Sequence, residues 1–425
     1  MDMGSLKALL EKLEGQIGTA VPKTVTTENT NSKEHEAGEE KQLSNTFSEA
    51  ESARPERNLI PQTVPKRPEI VIDASSQLSQ QEVEESLKIL SKKDLLFGIG
   101  EGMQKIGIAG EKRNALAVYL CLTSRILEKP ISLLVKGESS AGKSYLVKKA
   151  LQFFPDDAYK ELTDMSKKAL LYSNDSFSHR TVIIFEKHGM EAALYYIRTL
   201  QSEGKLVFET VEKDPVTKLR RTRRIEKEGP TNFIVTTTSA EIHPENETRN
   251  WSIFMDESEE QTREAKRKIA ERYLDVHPNI SFLKPYRNAQ KLLKYYPVKI
   301  PYAAFLSERT PHKPLRMRRD FEKLLAAIEV ITVLHEFQRE VREDNGIFYL
   351  ESTIEDYFIA TSLFGPSFSQ SLRDSDPKAE NQKDSIFDSR RTGLPSLEDL
   401  AHAYPHLASD FSGVNPISGE EVSIE

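Results

Sequence analysis

The octet Gly137-Glu-Ser-Ser-Ala-Gly142-Lys143-Ser144 limits what this chain can fold into more than any other feature. It matches G-x-x-x-x-G-K-[ST] in the setting that pattern requires. The apolar run Ile131–Val135 precedes it with strand character, and Tyr145–Phe154 follows with helical spacing and no breaker. A strand that passes through a glycine loop into a helix aims several backbone N–H groups at one point, which the positive end of the helix dipole also faces. Gly137 and Gly142 supply the close approach and backbone freedom of such a cradle. Gly137, Glu138, Ser139, Ser140, Ala141 and Gly142 are therefore expected to wrap the phosphates of ATP. Lys143 would reach the β and γ groups, and Ser144 would ligate Mg²⁺. A chance glycine-rich turn would lack one flank or the other; here both are in place.

At 425 residues there is room for two or three domains, although 38% hydrophobic against 29% charged residues indicates that part of the chain is not packed. The single Cys121 excludes a disulfide framework and a cysteine-rich zinc site, which fits a reducing cytoplasm. The nine histidines form no pair with another His or Cys at metal-ligand spacing; His188, His243 and His335 read as surface or satisfied polar groups. No apolar run approaches the ~20 residues of a membrane span, and Met1-Asp-Met-Gly-Ser lacks the regions of a signal peptide. A net charge of -7 argues against a protein that coats nucleic acid with its whole surface, so local charge matters more than the sum.

Along the chain, residues 1–17 have one apolar face (Leu6, Leu9, Leu10, Leu13, Ile17) and read as a short amphipathic helix. From Gly18 to Ser86 the only aromatic residue is Phe47, and prolines recur at 22, 55, 61, 65 and 68; too little apolar surface is present to offset ordering entropy. Residues 1–86 are thus expected to be a disordered tether with a leading helix. A compact α/β core is expected over 87–260, beginning with a helix at Glu111–Leu127, then alternating strands and helices around a parallel sheet. A helical lid over 261–365 follows. Its longest run, Phe321 to Val341, keeps 3–4 spacing for about six turns until Gly346, and a second helix starts near Thr353. Residues 366–425 read as a mostly disordered tail with a weak helix near Leu397–His402.

Thr181-Val-Ile-Ile-Phe185-Glu186 reads as a strand tipped by a carboxylate, about 40 residues after the loop. An acid there can hold the Mg²⁺ shell or polarise the attacking water. The usual pair is Asp then Glu; here Phe185 and Lys187 flank a single acid, so Glu186 is expected to serve as base or as metal group, unless it is only a solvated strand-end acid, and the pair is incomplete. Lys205–Lys227 reads as a hairpin around Lys213-Asp-Pro-Val-Thr-Lys218. Eight basic residues (Lys205, Lys213, Lys218, Arg220, Arg221, Arg223, Arg224, Lys227) against four acidic ones leave it at +4. That inversion matches a nucleic-acid backbone, or else marks a solvated charged face. Phe233–Thr238 is a strand ending in hydroxyls, and Thr236 or Thr237 could contact a γ-phosphate or lytic water. Arg249 follows, placed either to reach a neighbouring subunit's site or to pair with Glu245 or Glu247. Arg316-Met-Arg318-Arg319-Asp320 opens a long helix with charges that oppose its dipole, which suggests a phosphate partner unless Asp320 neutralises one of them.

In this order the parts resemble AAA+ ATPases, and within them the helicase-like ATPases of phages and mobile elements, often found with a toprim primase, near the minichromosome-maintenance branch. Leu122-Thr-Ser-Arg-Ile-Leu127, Val135–Ser144, Ile197-Arg-Thr-Leu-Gln-Ser-Glu-Gly204, Gly229-Pro-Thr and Arg319-Asp-Phe carry the likeness, over about Leu87–Phe364. The resemblance implies an α/β P-loop core with a helical lid, Thr237 as sensor 1, Arg249 as arginine finger and Arg318 as sensor 2. It also implies Lys205–Lys227 as a pore hairpin on single-stranded or forked DNA, in a homo-oligomeric ring. A separate primase or initiator would be the partner, since no toprim constellation or zinc finger is present. A threonine stands where sensor 1 is frequently asparagine. The function this resemblance implies is an ATP-driven DNA motor; a nucleotide-gated loader with slow turnover is the alternative, favoured by the lone Glu186.

Overall fold

The computed structural model describes residues 78–162, 172–173, 175–185, 191–213, 219–238, 247–274, 279–373, 393–409, 411 and 413–424. The expected leading helix and almost all of the tether lie outside these residues.

Five parallel strands form the central sheet: β1 (Leu133–Lys136), β2 (Tyr159–Leu162), β3 (Arg180–Ile184), β6 (Thr231–Thr237) and β7 (Trp251–Phe254), in the order β2-β3-β6-β1-β7. Their side chains alternate between two apolar layers, as strand geometry demands. Leu134, Val182, Ile184, Phe233 and Val235 face one layer, with Ile197, Leu200 and Leu206. Leu133, Val135, Ile183, Ile234, Trp251 and Ile253 face the larger core on the other side. Both faces being covered explains why these strands read as near-continuous apolar runs.

The larger layer is built on α3 (Lys112–Thr123), whose residues Ala115 to Thr123 are all buried. Leu116, Tyr119, Leu120, Ile126 and Leu127 space as one apolar stripe in the sequence, yet Ala115–Thr123 are buried on every side of the helix. With it pack α4 (Lys143–Leu151), α2 (Leu95–Lys105) and the lid helices. On the smaller layer lies α5 (Glu191–Glu203), followed by the antiparallel hairpin of β4 (Lys205–Lys213) and β5 (Arg220–Glu228). Residues 214–218 at its tip, including Lys218, are outside the described residues.

Ordered structure begins earlier than the composition predicts. Helix α1 (Gln80–Leu90) starts at a capping box in which Ser79 and Glu82 exchange hydrogen bonds, and it buries Val83, Ser86 and Leu90. It packs against α7 (Leu283–Leu292), with Glu82 paired to Lys284 at 2.9 Å. Beyond the sheet run α6 (Glu259–Leu274), β8 (Val298–Lys299), α8 (Ala303–Arg309) and α9 (Met317–Leu334).

The predicted six-turn helix is shorter than its apolar spacing. It ends at Leu334, and Gly346 belongs to a hairpin between β9 (Arg342–Asp344) and β10 (Ile347–Glu351). Asn345 and Gly346 both take positive φ, 53° and 83°, the requirement of a tight two-residue turn. Helix α10 (Ile354–Arg373) also overruns its predicted end, continuing through Pro366. An internal proline costs roughly 3 kcal/mol, but Phe364 and Phe368 on that stretch pack on the buried Trp251, at ring separations of 5.4 and 6.2 Å.

The tail also folds back. Helices α11 (Leu397–Ala403) and α12 (Pro405–Ala408) and the short pair β11 (Gly413–Val414) and β12 (Glu421–Val422) dock on the main core. Leu400 is fully buried, Tyr404 meets Tyr302 and Phe305 edge-on, and the Ile417 carbonyl accepts a hydrogen bond from Lys112 at 3.0 Å. Apolar residues spaced through a polar tail were enough to anchor it. Among the described residues, no helix is long and apolar enough to cross a membrane.

Candidate functional site

The phosphate loop leaves β1 at Gly137 and enters α4 at Lys143. Gly142 caps that helix with φ 87°, and Ser140 also takes a positive φ of 71°. This left-handed turn is what bends the amides of residues 138–144 around one point. Gly137 has little room for a side chain, since a Cβ there would stand 3.0 Å from the Met255 Cβ. Lys143 is 7% exposed, and its ammonium donates to the carbonyls of Gly137 (2.8 Å) and Glu138 (2.6 Å), so it lies along the loop. Ser139 and Ser140 are exposed and Ser144 is half-buried in the first turn of α4. A nine-residue helix whose positive dipole end faces the loop suits a triphosphate, and the Ser144 hydroxyl is the group that would hold Mg²⁺.

Sheet order decides what stands beside this loop. Strand β6 is inserted between β1 and β3, and Thr237 pairs with Lys136, the residue just before Gly137. Thr237 is the predicted sensor residue, and it occupies the strand tip between the loop and the end of β3. Thr236 and Thr237 are both buried. Glu186, two residues past the end of β3, is outside the described residues, as is Lys187.

Residues that sequence reasoning passed over complete the near wall. The Glu257 carboxylate accepts a hydrogen bond from the Glu138 backbone N–H. Glu111 accepts from the Asp256 backbone N–H (2.7 Å) and from Asn114 (2.6 Å), and burial pushes its carboxyl above the usual range. A cavity of about 210 Å³ opens next to Ser140–Gly142, lined by Ile108, Ala109, Tyr145, Leu146, Ile269 and Arg272. Gln261 on α6 closes one side by donating to the Ala109 carbonyl at 2.7 Å. The cavity joins segments more than a hundred residues apart, so no local pattern announced it.

A larger cleft of about 470 Å³ lies at the opposite end of the strands. It is lined by residues that enter β1 (Ile131, Ser132), β6 (Pro230, Thr231) and β7 (Thr248, Arg249). Since all these strands are parallel, β1 separates it from the loop by its length, roughly 13 Å. Arg249 is in this cleft and donates to the Ser202 hydroxyl. Glu247, one of the predicted alternative partners, receives Lys136, while Glu245 is outside the described residues.

The lid arginines divide by face. Arg318 is exposed on the first turn of α9, whereas Arg319 lines the cleft and donates to Thr248 at 2.7 Å. Arg316 and Lys323 point inward to the fully buried Asp320, at 3.0 and 2.6 Å. The predicted neutralising role of Asp320 holds, with Arg316 and Lys323 as its partners. The positions i and i+4 of Arg316 and Asp320 were the available signal, because they share a helix face. On the hairpin, Arg220, Arg221, Arg223 and Arg224 are exposed, and Lys213 pairs in the ladder with Arg220. The loop, the cleft and the hairpin are three separate places, and the fold does not gather the predicted residues into one site.

Residues 77–277 match the model of a family described as the MTBMA_p00010 P-loop domain, a span that runs from just before α1 to beyond the end of α6. Comparison with curated proteins gives no match. The geometry and the family match agree on one conclusion: the chain carries an α/β P-loop domain, a fold associated with nucleotide binding.

Proposed function

We propose that this protein is an ATP-hydrolysing nucleic-acid motor, a helicase-like AAA+ ATPase serving DNA replication of a phage or mobile element. The observation that carries the reading is the continuity of two elements. Strand β5 of the basic hairpin runs through Gly229 and Pro230 directly into β6, which ends at Thr237 beside the phosphate loop. A change at the γ-phosphate is thus linked through one strand to a hairpin rich in arginine. Such a hairpin suits the phosphates of single-stranded DNA.

The position of Arg249 supports a shared site. It stands at the far end of the sheet from the chain's own loop, so a role at a nucleotide requires a neighbouring copy, as in a ring. Arg319 in the same cleft adds a second guanidinium for the neighbour's γ-phosphate. The apolar cavity between Ile108 and Ile269 suits the base of ATP, with the triphosphate on Gly137–Ser144 and Mg²⁺ on Ser144. Glu186 would supply the acid at the end of β3.

The test is the ATPase rate with and without single-stranded DNA, on protein whose mass is recorded with ATP present. DNA-stimulated turnover by an oligomer is expected. Unstimulated turnover by a monomer would overturn the motor. Slow turnover with ATP-dependent DNA retention would identify a nucleotide-gated loader instead.

A further inference from the structure

We infer that the two faces of the β4–β5 hairpin have different tasks: the face carrying Val207, Val211, Arg220 and Arg224 holds a single strand of nucleic acid, and the face carrying Arg221 and Arg223 does not. This rests on the proposed reading of the hairpin as the nucleic-acid element, and assigns its contact surface.

The register fixes the faces. Val207 opposes Glu226, Glu209 opposes Arg224, Val211 opposes Thr222 and Lys213 opposes Arg220, all on one side. Leu206 opposes Lys227, Phe208 opposes Ile225, Thr210 opposes Arg223 and Glu212 opposes Arg221 on the other. At the base of the hairpin the second side packs on the body of the domain, while Arg221 and Arg223 further along it are exposed. Leu206 is buried in the smaller core layer, Phe208 meets Tyr196 edge-on at 6.1 Å, and Lys227 lies over Phe177 and donates to the Ser173 carbonyl. The first side therefore points outward.

On that outward side Val207 and Val211 are 44% and 62% exposed. Val211 lies between Arg220 and Arg224 in the register and Val207 beyond Arg224, and apolar area left in water beside guanidinium groups has a natural occupant in a single strand. Its unpaired bases and sugars offer apolar contact, and its phosphates take the arginines. A duplex keeps its bases inside and would leave the valines without contact. Arg220 and Arg224 are four residues apart on one strand, roughly 13 Å, so they can grip separate phosphates. The Arg224–Glu226 pair at 3.6 Å is exposed, and such pairs hold their partners weakly enough to be exchanged.

Three double variants of the full chain test this by fluorescence anisotropy on oligo-dT across a salt series, with thermal melting as the folding control. Arg220→Gln/Arg224→Gln is expected to weaken binding at least tenfold. It should also flatten the log–log salt slope by about 1.4, the share of two phosphates on a single strand. Val207→Ser/Val211→Ser should weaken binding several-fold at every salt concentration without changing the slope. Arg221→Gln/Arg223→Gln should stay within twofold of the parent. If the Arg221/Arg223 pair carries the loss and the Arg220/Arg224 pair does not, the face assignment is overturned while the nucleic-acid reading stands. Absence of oligo-dT binding by the parent chain overturns both. A Val207/Val211 variant that loses oligomer mass but keeps its DNA affinity would put a protein neighbour on this face.

Discussion

The Glu257 carboxylate and the Glu138 backbone N–H are joined by a hydrogen bond that ties the exit of β7 to the first turn of the phosphate loop. Met255 packs against Gly137 from the same segment. The phosphate loop is therefore shaped in part by the chain leading into α6. Glu257→Ala should weaken nucleotide binding about two- to tenfold, the net worth of one hydrogen bond. Glu257→Gln, which keeps an acceptor, should recover most of it. Titration with a fluorescent ATP analogue reads both, and equal affinity of all three proteins would remove any positioning role for this contact.

Lys143→Ala should abolish turnover, because the ammonium is the only side-chain cation placed inside the loop by the described residues. Arg249→Ala should do so as well, from the other end of the sheet. Mixing the two inactive proteins should restore part of the rate if one copy's Arg249 serves another copy's loop. No recovery at any ratio would argue that each site works alone.

Asp320 is fully buried between Arg316 and Lys323. Asp320→Ala leaves two cations in a poor solvent with no counter-charge, a change that costs about 3–5 kcal/mol in comparable buried pairs. A large fall in melting temperature is expected, together with disorder of the cleft, since Lys323 also lies 4.7 Å from the Trp251 ring and donates to the Asn250 carbonyl. A shift of only a degree or two would mean that the triad contributes little.

Burial, with Glu128 nearby, raises the Glu329 carboxyl from 4.5 to about 7, and Tyr295 donates to it. The folded state thus holds a proton that the unfolded chain releases. Stability from this group is complete below pH 4.5 and is lost as pH rises through about 7. Glu329→Gln should melt higher than the parent at pH 8, with the difference shrinking toward pH 5. Parallel melting curves across that range would refute the assignment.

How far these features could be read in advance depended on how local their cause was. The phosphate loop is a short-range device, so Gly137, Lys143 and Ser144 were legible from spacing alone, as was the β4–β5 hairpin from its turn and charge. Helix α1 was legible in principle, since Ser79 and Glu82 form a capping box, but the proline-rich composition upstream masked it. Asn345-Gly346 likewise announced a turn that the apolar spacing of α9 and its sequel concealed. The insertion of β6 between β1 and β3, and the division of Arg318 from Arg319, depend on contacts between distant segments. No window of sequence contains those.

The anchoring of the tail has a consequence for how the molecule is made. Lys112 begins α3, the helix at the centre of the main core, and its ammonium bonds a carbonyl 305 residues further on, at Ile417. Gly419 presses against the ring of Phe97 in α2. On the ribosome, the nucleotide-binding half emerges long before that segment, so its inner helices must wait with part of their surface uncovered. The core therefore closes only when this late segment arrives, and apolar surface stays open to aggregation until then.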